Sequence, residues 1–388
     1  MALPLGYNVK NLRIRWQVTL LAIFGIALVV TVFVFLAAMA SGFRIALRAT
    51  GRSDNAIVLQ KGSQSELGSG IDRGKAGLLS VDQRIARGPD GQPLASGEIV
   101  VVANLPRRID AAEVNVLIRG VTLRAFDVRG GLKIVRGRNF APGLAEVVVG
   151  ARTAERFGLD VGSKVPLGNQ DWDVVGVFTS EGSGFESEIW GDLSVMSEPL
   201  RRQGVFQALV VRLADPGAFD AFKKTYEEDP QVQVTISRER KFYEDQAGPT
   251  ASALMGLAVF VSVVMGVGAV FGAMNTMYAI VAARTREIGT LRALGFSRRA
   301  ILFSFVLESV TLALAGGAIG CLLAFPMNGY STGTGQTQSF SEIAFAFRIT
   351  PEIVMTALVF AVVMGVIGGL FPAFRAARLP ITSALREA

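Results

Sequence analysis

The stretch NTMYAIVAARTREIGTLRALGFSRRAILFSFVLES, residues 275–309, decides the fold. A long apolar run ends at Arg284, a short basic stretch follows, and a second apolar run begins near Ala300. Two membrane helices joined by so short and so basic a loop place that loop on the cytoplasmic side. Within it, Ile288, Leu291 and Gly295 recur at helical spacing, while Arg284 and Glu287 pair at i, i+3 on another face. This pattern describes a short amphipathic helix lying on the membrane surface. The same residues also fit plain positive-inside decoration, and composition alone does not choose between the two.

Working outward, the composition agrees with a membrane protein. Of 388 residues 51% are hydrophobic and only 18% charged, and the mean hydropathy is +0.43. The net charge of +7 is not a nucleic-acid signature, because the basic residues flank apolar runs and are not interleaved with aromatics. Histidine is absent, which excludes histidine acid–base chemistry, Ser-His-Asp triads and histidine metal sites. The single cysteine, Cys321, lies inside an apolar run and reads as an inert small residue. No catalytic, cofactor-binding or metal-ligating constellation is found.

Four segments are long and apolar enough to cross a ~30 Å hydrocarbon core: 18–40, 251–283, 300–327 and 351–373. The first follows Lys10, Arg13 and Arg15, and Ala38-Met39-Ala40 resembles a signal-peptidase site. Signal-peptide apolar cores run only ~7–15 residues, so an uncleaved anchor is expected. Residues 1–17 are expected to lie at the inner leaflet, with basic groups in water. The 284–299 loop carries Arg284, Arg286, Arg292, Arg298 and Arg299 against Glu287. The tail 374–388 carries three arginines, whereas the 328–350 loop has only Arg348. Both termini and the 284–299 loop are therefore expected in the cytoplasm. Residues 41–250 and the short loop 328–350 are expected outside.

The 41–250 segment reads as an α+β domain between helices 1 and 2. Strand-like runs fall at 56–60, 98–103, 114–120, 146–150, 173–178, 207–213 and 231–237, with helices at 151–158 and 215–229. The Gly- and Ser-rich stretch 61–97 reads as a mobile loop. Glu181, Glu186 and Glu188 read as acids along a solvent-facing strand, with Phe185 and Trp190 packing. Residues 41–49 and 237–246 extend the first two membrane helices into a stalk, with a break expected at Gly248-Pro249. The second run, about 50 Å as a helix, exceeds the bilayer.

Gly-xxx-Gly pairs occur at Gly268/Gly272, Gly316/Gly320 and Gly365/Gly369. They permit close helix approach, either within the bundle or at a dimer face. Glu308 falls about 12 Å into the third span, where a charge is costly unless paired. It reads either as a coupling contact to a neighbouring helix or as a carboxylate reaching water or a loop arginine.

Asn275-Thr276-Met277, Arg284-Thr285-Arg286-Glu287-Ile288-Gly289, Leu291-Arg292-Ala293-Leu294-Gly295, Ser297-Arg298-Arg299 and Glu308-Ser309 together resemble the signature of MacB/FtsX-type (type VII) ABC transporter permeases. GLFPAFRAARLPITSALRE (369–387) is similar to that family's C-terminal pattern. EVVVGARTAERFGLDVGS (146–163) and DVVGVFTSEGSGFESEIW (173–190) resemble its extracytoplasmic domain. The resemblance implies an integral membrane protein of four transmembrane α-helices with a large extracytoplasmic domain, in a bacterial inner membrane. It implies a dimer with a second permease copy or a paralogue, and an ATP- and Mg-binding ABC ATPase docked at the 284–299 coupling helix. A periplasmic adaptor is a further expected partner.

No Gly-x-x-x-x-Gly-Lys-Ser/Thr phosphate loop occurs, the nearest fragment being Gly162-Ser163-Lys164, so the ATPase is expected on another chain and no cofactor on this one. The expected output is export or extraction of an amphiphile, peptide or lipid-linked molecule by mechanotransmission. The alternative is an FtsX-like scaffold that regulates an extracytoplasmic hydrolase without transport. A third reading, an ATP-independent receptor, makes the 284–299 loop dispensable.

Overall fold

The computed structural model describes residues 16–108, 111–335 and 342–380. The expected interfacial segment 1–17 falls almost wholly outside the described residues, as do 381–388 of the tail and 336–341 of the 328–350 loop. In chain order the first elements are α1 (Trp16–Arg48), β1 (Asn55–Gln60), β2 (Ile71–Asp72), α2 (Arg73–Ser80), β3 (Ala95–Pro106), β4 (Glu113–Val121), α3 (Arg124–Arg129), β5 (Lys133–Gly137), β6 (Glu146–Gly150), α4 (Ala151–Phe157), β7 (Lys164–Leu167) and β8 (Gln170–Thr179). There follow β9 (Glu188–Asp192), α5 (Leu193–Met196), β10 (Val205–Phe206), β11 (Ala208–Arg212), α6 (Phe219–Glu227), β12 (Val234–Arg238), α7 (Glu239–Ala283), α8 (Thr285–Ala293), α9 (Arg298–Ala324), β13 (Ser331–Gly335), β14 (Glu342–Ala346) and α10 (Pro351–Arg378). Contacts divide the chain into a helical unit (up to Ser41, Ala253–Tyr330 and from Phe347) and an α+β unit (Gly42–Ser252 and Ser331–Ala346).

Four helices are long and apolar enough to cross a membrane: Thr19–Arg48, Glu239–Ala283, Arg298–Met327 and Pro351–Arg378. Each runs past the apolar segment read from sequence at one end or both. Pro249 does not break α7, which stays helical through it. The helical unit buries Val30, Val34 and Ala37 of α1 with Ala313 of α9 and Ala357 and Ala361 of α10. Large apolar side chains such as Phe24, Phe260, Phe303 and Phe371 stand exposed, as suits helices whose solvent is hydrocarbon.

Glycines set how closely these helices meet. A Cβ at Gly316 would lie 2.9 Å from the Ile23 carbonyl, and one at Gly320 2.6 Å from the Ala27 carbonyl, so α9 crosses α1 nearly backbone to backbone. The Thr31 hydroxyl sits there, 2.7 Å from the Ala27 carbonyl and 3.1 Å from that of Gly320. Across the α9–α10 contact, a Cβ at Gly365 would stand 2.5 Å from that of Ala313, Gly369 faces Ser309, and the Ser309 hydroxyl donates to the Gly365 carbonyl at 2.6 Å. Nothing lies within 4 Å of a Cβ added at Gly268 or Gly272. Gly320→Leu is therefore expected to destabilise the helical unit by roughly 1–3 kcal/mol or more through overpacking. Gly268→Leu should leave a single protomer unchanged. Thermal unfolding of both variants in detergent checks the contrast.

The α+β unit is built on a sheet ordered β12-β1-β11-β3-β4-β9-β6-β8-β5, with β7 added on β8. Most pairings are antiparallel, but β4–β9 and β6–β8 are parallel. Alternation buries one core around Ile118, Val149, Trp172 and Ile189, and a second around Trp190, Phe178, Phe185 and Val210. Strands occur at all seven runs read from sequence. The runs read from sequence leave out β2, β5, β7, β10 and the pair β13–β14. Pro166 in β7 reads as a breaker but is tolerated at an edge, since β7 pairs only with β8. β9 takes up the end of the stretch read as a solvent-facing acidic strand, but it is buried along its whole length.

Two expectations are corrected here. Residues 61–97 are not simply a loop. Asp72 caps α2 by accepting from the Gly74 and Lys75 amides, and Ile71, Ala76, Leu79, Ile85 and Leu94 are buried. Glu186 and Glu188 do not face solvent. Glu186 accepts from the Ser180 and Gly182 amides at 2.8 and 2.9 Å, and Glu188 is buried against Arg119.

The 328–350 segment contains a β-hairpin, β13–β14, that belongs to the α+β unit. Arg156 pairs with Glu342, and the Ser187 hydroxyl accepts from the Ala344 amide at 3.0 Å. Phe345 meets Phe43 edge to face at 5.5 Å. Chain segments from α1, from α7 and from between α9 and α10 all contribute to this unit.

Candidate coupling site

The 284–299 segment forms one short helix between two long ones. Arg284 sits at the turn after α7, and α8 then runs from Thr285 to Ala293. Gly295 ends it at φ +93°, a conformation that glycine adopts without a Cβ clash. The Phe296 amide closes back onto the Leu291 carbonyl at 3.1 Å. Ser297 then caps α9, its hydroxyl accepting from the Ala300 amide at 3.2 Å.

The side chains divide by direction. Arg284 turns inward: its Nε donates to Glu287 at 3.1 Å, its Nη1 donates to Glu308 at 3.1 Å, and its guanidinium lies 5.1 Å from the Phe305 ring centre. Glu308 is 2% exposed, so Arg284 supplies the cation that a buried carboxylate at that depth requires. Ile288 is also buried, within the apolar cluster of Met277, Ile280, Ile301, Phe305 and Leu312. Leu291 and Arg292 are half-buried. The outward set is Arg286, Glu287, Leu294, Gly295, Arg298 and Arg299. Leu294 is 70% exposed, a large apolar side chain among three arginines and one carboxylate.

The residues read from sequence thus fall into three groups. Arg284, Ile288 and Glu308 fasten α8 to the bundle, Leu291 and Arg292 lie half-buried, and the outward set presents a mainly basic surface with Leu294 as its apolar contact. Phe305, which completes the Arg284 pocket, was missed. It lies three residues before Glu308, where an aromatic beside an intramembrane acid was the available signal. This arrangement offers no nucleophile and no acid–base pair. It offers an exposed, positively charged surface tied through the Arg284–Glu308 ion pair to α9.

The family model described as MacB-like periplasmic core domain matches residues 19–228, more than half of the chain, and the model described as FtsX-like permease C-terminal matches residues 259–381. The macrolide export ATP-binding/permease protein MacB of Burkholderia pseudomallei is 28% identical over 301 residues, covering 71% of this chain and 44% of that protein. Its namesake in Hahella chejuensis is 27% identical over 401 residues, covering 95% of this chain and 58% of that protein. The chain spans about half the length of the curated relatives it matches.

Among solved structures, the periplasmic region of MacB from Actinobacillus actinomycetemcomitans aligns with a TM-score of 0.38 at 14% identity, over 53% of this chain and 95% of that one. The extracellular domain of the noncanonic ABC-type transporter YknZ from Gram-positive bacteria gives 0.36 at 14% identity, over 47% of this chain and 99% of that one. With the core-domain model spanning α1 and most of the α+β unit, and the permease model spanning the remaining long helices and α8, the chain belongs to the MacB/FtsX-type permease family.

Proposed function

We propose that this chain is the membrane permease part of an ABC transporter in a bacterial inner membrane. In this reading both termini and α8 lie in the cytoplasm, and the α+β unit lies outside. ATP binding and hydrolysis occur on a nucleotide-binding ATPase outside the residues described. The ATPase seats on the outward face of α8. Its movement passes through Arg284 and Glu308 into α9, and through the long helices to the α+β unit. The permease works as a dimer. The output is export or extraction of an amphiphile, peptide or lipid-linked molecule, with a periplasmic adaptor completing the route where an outer membrane exists.

The observation that carries this reading is the division of α8 into an inward face locked by the Arg284–Glu308 pair and an outward face exposing Leu294 among arginines. A docking helix needs both: a surface to receive force and a stiff joint to pass it on.

Topology is checked by labelling. In a Cys321→Ser background, Asp171→Cys should react with a membrane-impermeant thiol reagent added outside cells, and Thr290→Cys should react only after permeabilisation. Both positions are exposed in the structure. The reverse pattern would overturn the reading.

A further inference from the structure

The α+β unit holds a sealed cluster of charges whose signs do not balance. Arg119 on β4 and Arg129 on α3 are 0% and 1% exposed. Around them lie Glu66 of the 61–70 loop, Glu98 of β3, Glu188 of β9 and Glu239 of α7, none more than 6% exposed. Arg119 reaches Glu66 at 2.6 Å, Glu188 at 2.7 Å and Glu98 at 2.9 Å. Arg129 pairs with Glu98 and, at 2.9 Å, with Glu239. Glu239 also accepts from the Asn55 amide group at 2.8 Å and the Arg52 backbone at 3.0 Å. Four carboxylates face two buried guanidiniums; Arg52 and Arg212 also act on Glu239, so the excess negative charge falls on the Glu66 and Glu188 side. Burial makes such an excess costly.

The two halves of the cluster differ. Glu98 lies between both arginines. Burial opposes its charge, but Arg129 and Arg119 overcome that and hold its carboxyl below the usual range. Glu66 and Glu188 share Arg119 alone and line a cavity of about 30 Å³ together with Thr50, Ser187 and Tyr243. That is room for one or two waters. The Tyr243 hydroxyl lies 3.3 Å from both Glu66 oxygens, and the Trp190 indole donates to Glu188 at 2.6 Å. The other charged group on the cavity, Glu342 of β14, already has Arg156. Among the described residues no group of acidic, Cys or His side chains is arranged to hold a metal ion.

We propose that this cluster takes up one proton at Glu188, which shares Arg119 with the neighbouring Glu66 charge, and that the bound proton latches the 61–70 loop and the first turns of α7 onto the sheet. Glu66 and Tyr243 meet on the cavity, one from each latched segment, so both are held by the same charge balance. Burial, only partly offset by Arg119, pushes the Glu188 carboxyl above the ordinary range, which supports a proton on this side of the cluster. A group raised in the folded state stabilises below its unfolded value and loses that contribution as pH rises through its folded value. The latch therefore tightens towards acid and loosens towards alkaline pH, above the ordinary carboxylate range.

Infrared spectroscopy of the full chain in lipid nanodiscs tests this. The wild type should show a protonated-carboxyl band that persists above the ordinary carboxylate range and disappears as pH rises further. The band should be lost or reduced in both Glu66→Gln and Glu188→Gln, and retained in Glu308→Gln, the control for the buried carboxyl of α9. Absence of a titrating band, or a band indifferent to both cluster substitutions, overturns the proposal. Hydrogen exchange at residues 61–70, corrected for its intrinsic pH dependence, gives a second readout. Opening should rise by up to about tenfold per pH unit as pH climbs from the ordinary carboxylate range to the transition, as one linked proton requires, then level off, and it should stay flat in Glu188→Gln. A flat wild-type profile also overturns it.

Discussion

Replacing Arg284 with alanine should cost the helical unit roughly 3–5 kcal/mol, because it leaves the buried Glu308 without its cation. The loss should be much smaller in a Glu308→Gln background, where a neutral amide needs no counter-charge. A double-mutant cycle on thermal unfolding in detergent therefore yields a large coupling energy. Additive losses would show that the pair bears no load. Because Arg284 stands where α7 ends and α8 begins, the same variant should retain α8 in the chain but free its hinge. Any ATPase rate that depends on this chain should fall with the stability of the joint. Arg286→Ala, on the exposed face, should weaken docking of the ATPase without a comparable loss of stability.

A still larger structural effect is expected from Arg119→Ala. Arg119 is wholly buried and contacts Glu66, Glu98 and Glu188, which come from the 61–70 loop, β3 and β9. Its removal leaves three buried carboxylates with only Arg129 nearby and opens a cavity beside Phe185 and Trp190, whose rings its guanidinium flanks at 5.6 and 6.0 Å. Breaking one buried pair costs ~3–5 kcal/mol, and this change breaks several at once. That is comparable to the whole stability of a typical domain, ~5–15 kcal/mol. The α+β unit should lose its near-ultraviolet circular dichroism and become protease-sensitive, while the four long helices still insert. A folded, protease-resistant Arg119→Ala protein would mean that the cluster contributes little.

Much of this was legible in the sequence, for physical reasons that vary by element. Long apolar helices announce themselves because hydrocarbon tolerates few charges, so their existence follows from composition and their rough limits from length. The basic segment at 284–299 was legible because positive charge beside two spans is confined to one side of a membrane. The direction of each side chain was not. Arg284 and Arg286 look alike in sequence, and only Glu308, a turn and half a helix away, draws the first inward. Identical Gly-xxx-Gly spacing at Gly268/Gly272 and Gly316/Gly320 gave no sign that one pair meets nothing within 4 Å while the other receives α1.

In the α+β unit, Val/Ile-rich strands were legible. The burial of acids on a strand was not, because Glu188 is acceptable inside only once Arg119 arrives from β4. The hairpin β13–β14 was hidden because β13 is Gly- and Thr-rich, and its docking rests on Arg156 and Phe43, which are remote in sequence.

The central claim is that α8 is the seat of an ATPase. It is tested most directly by placing a photocrosslinking side chain at Leu294 in the full chain, irradiating native membranes and identifying the adduct. The account predicts capture of a Walker-motif ATPase, loss of that adduct in Arg298→Glu/Arg299→Glu, and no such capture from a probe at Leu78, which is exposed on the α+β unit. Absence of an ATPase adduct at Leu294, with the chain folded and inserted, would contradict it.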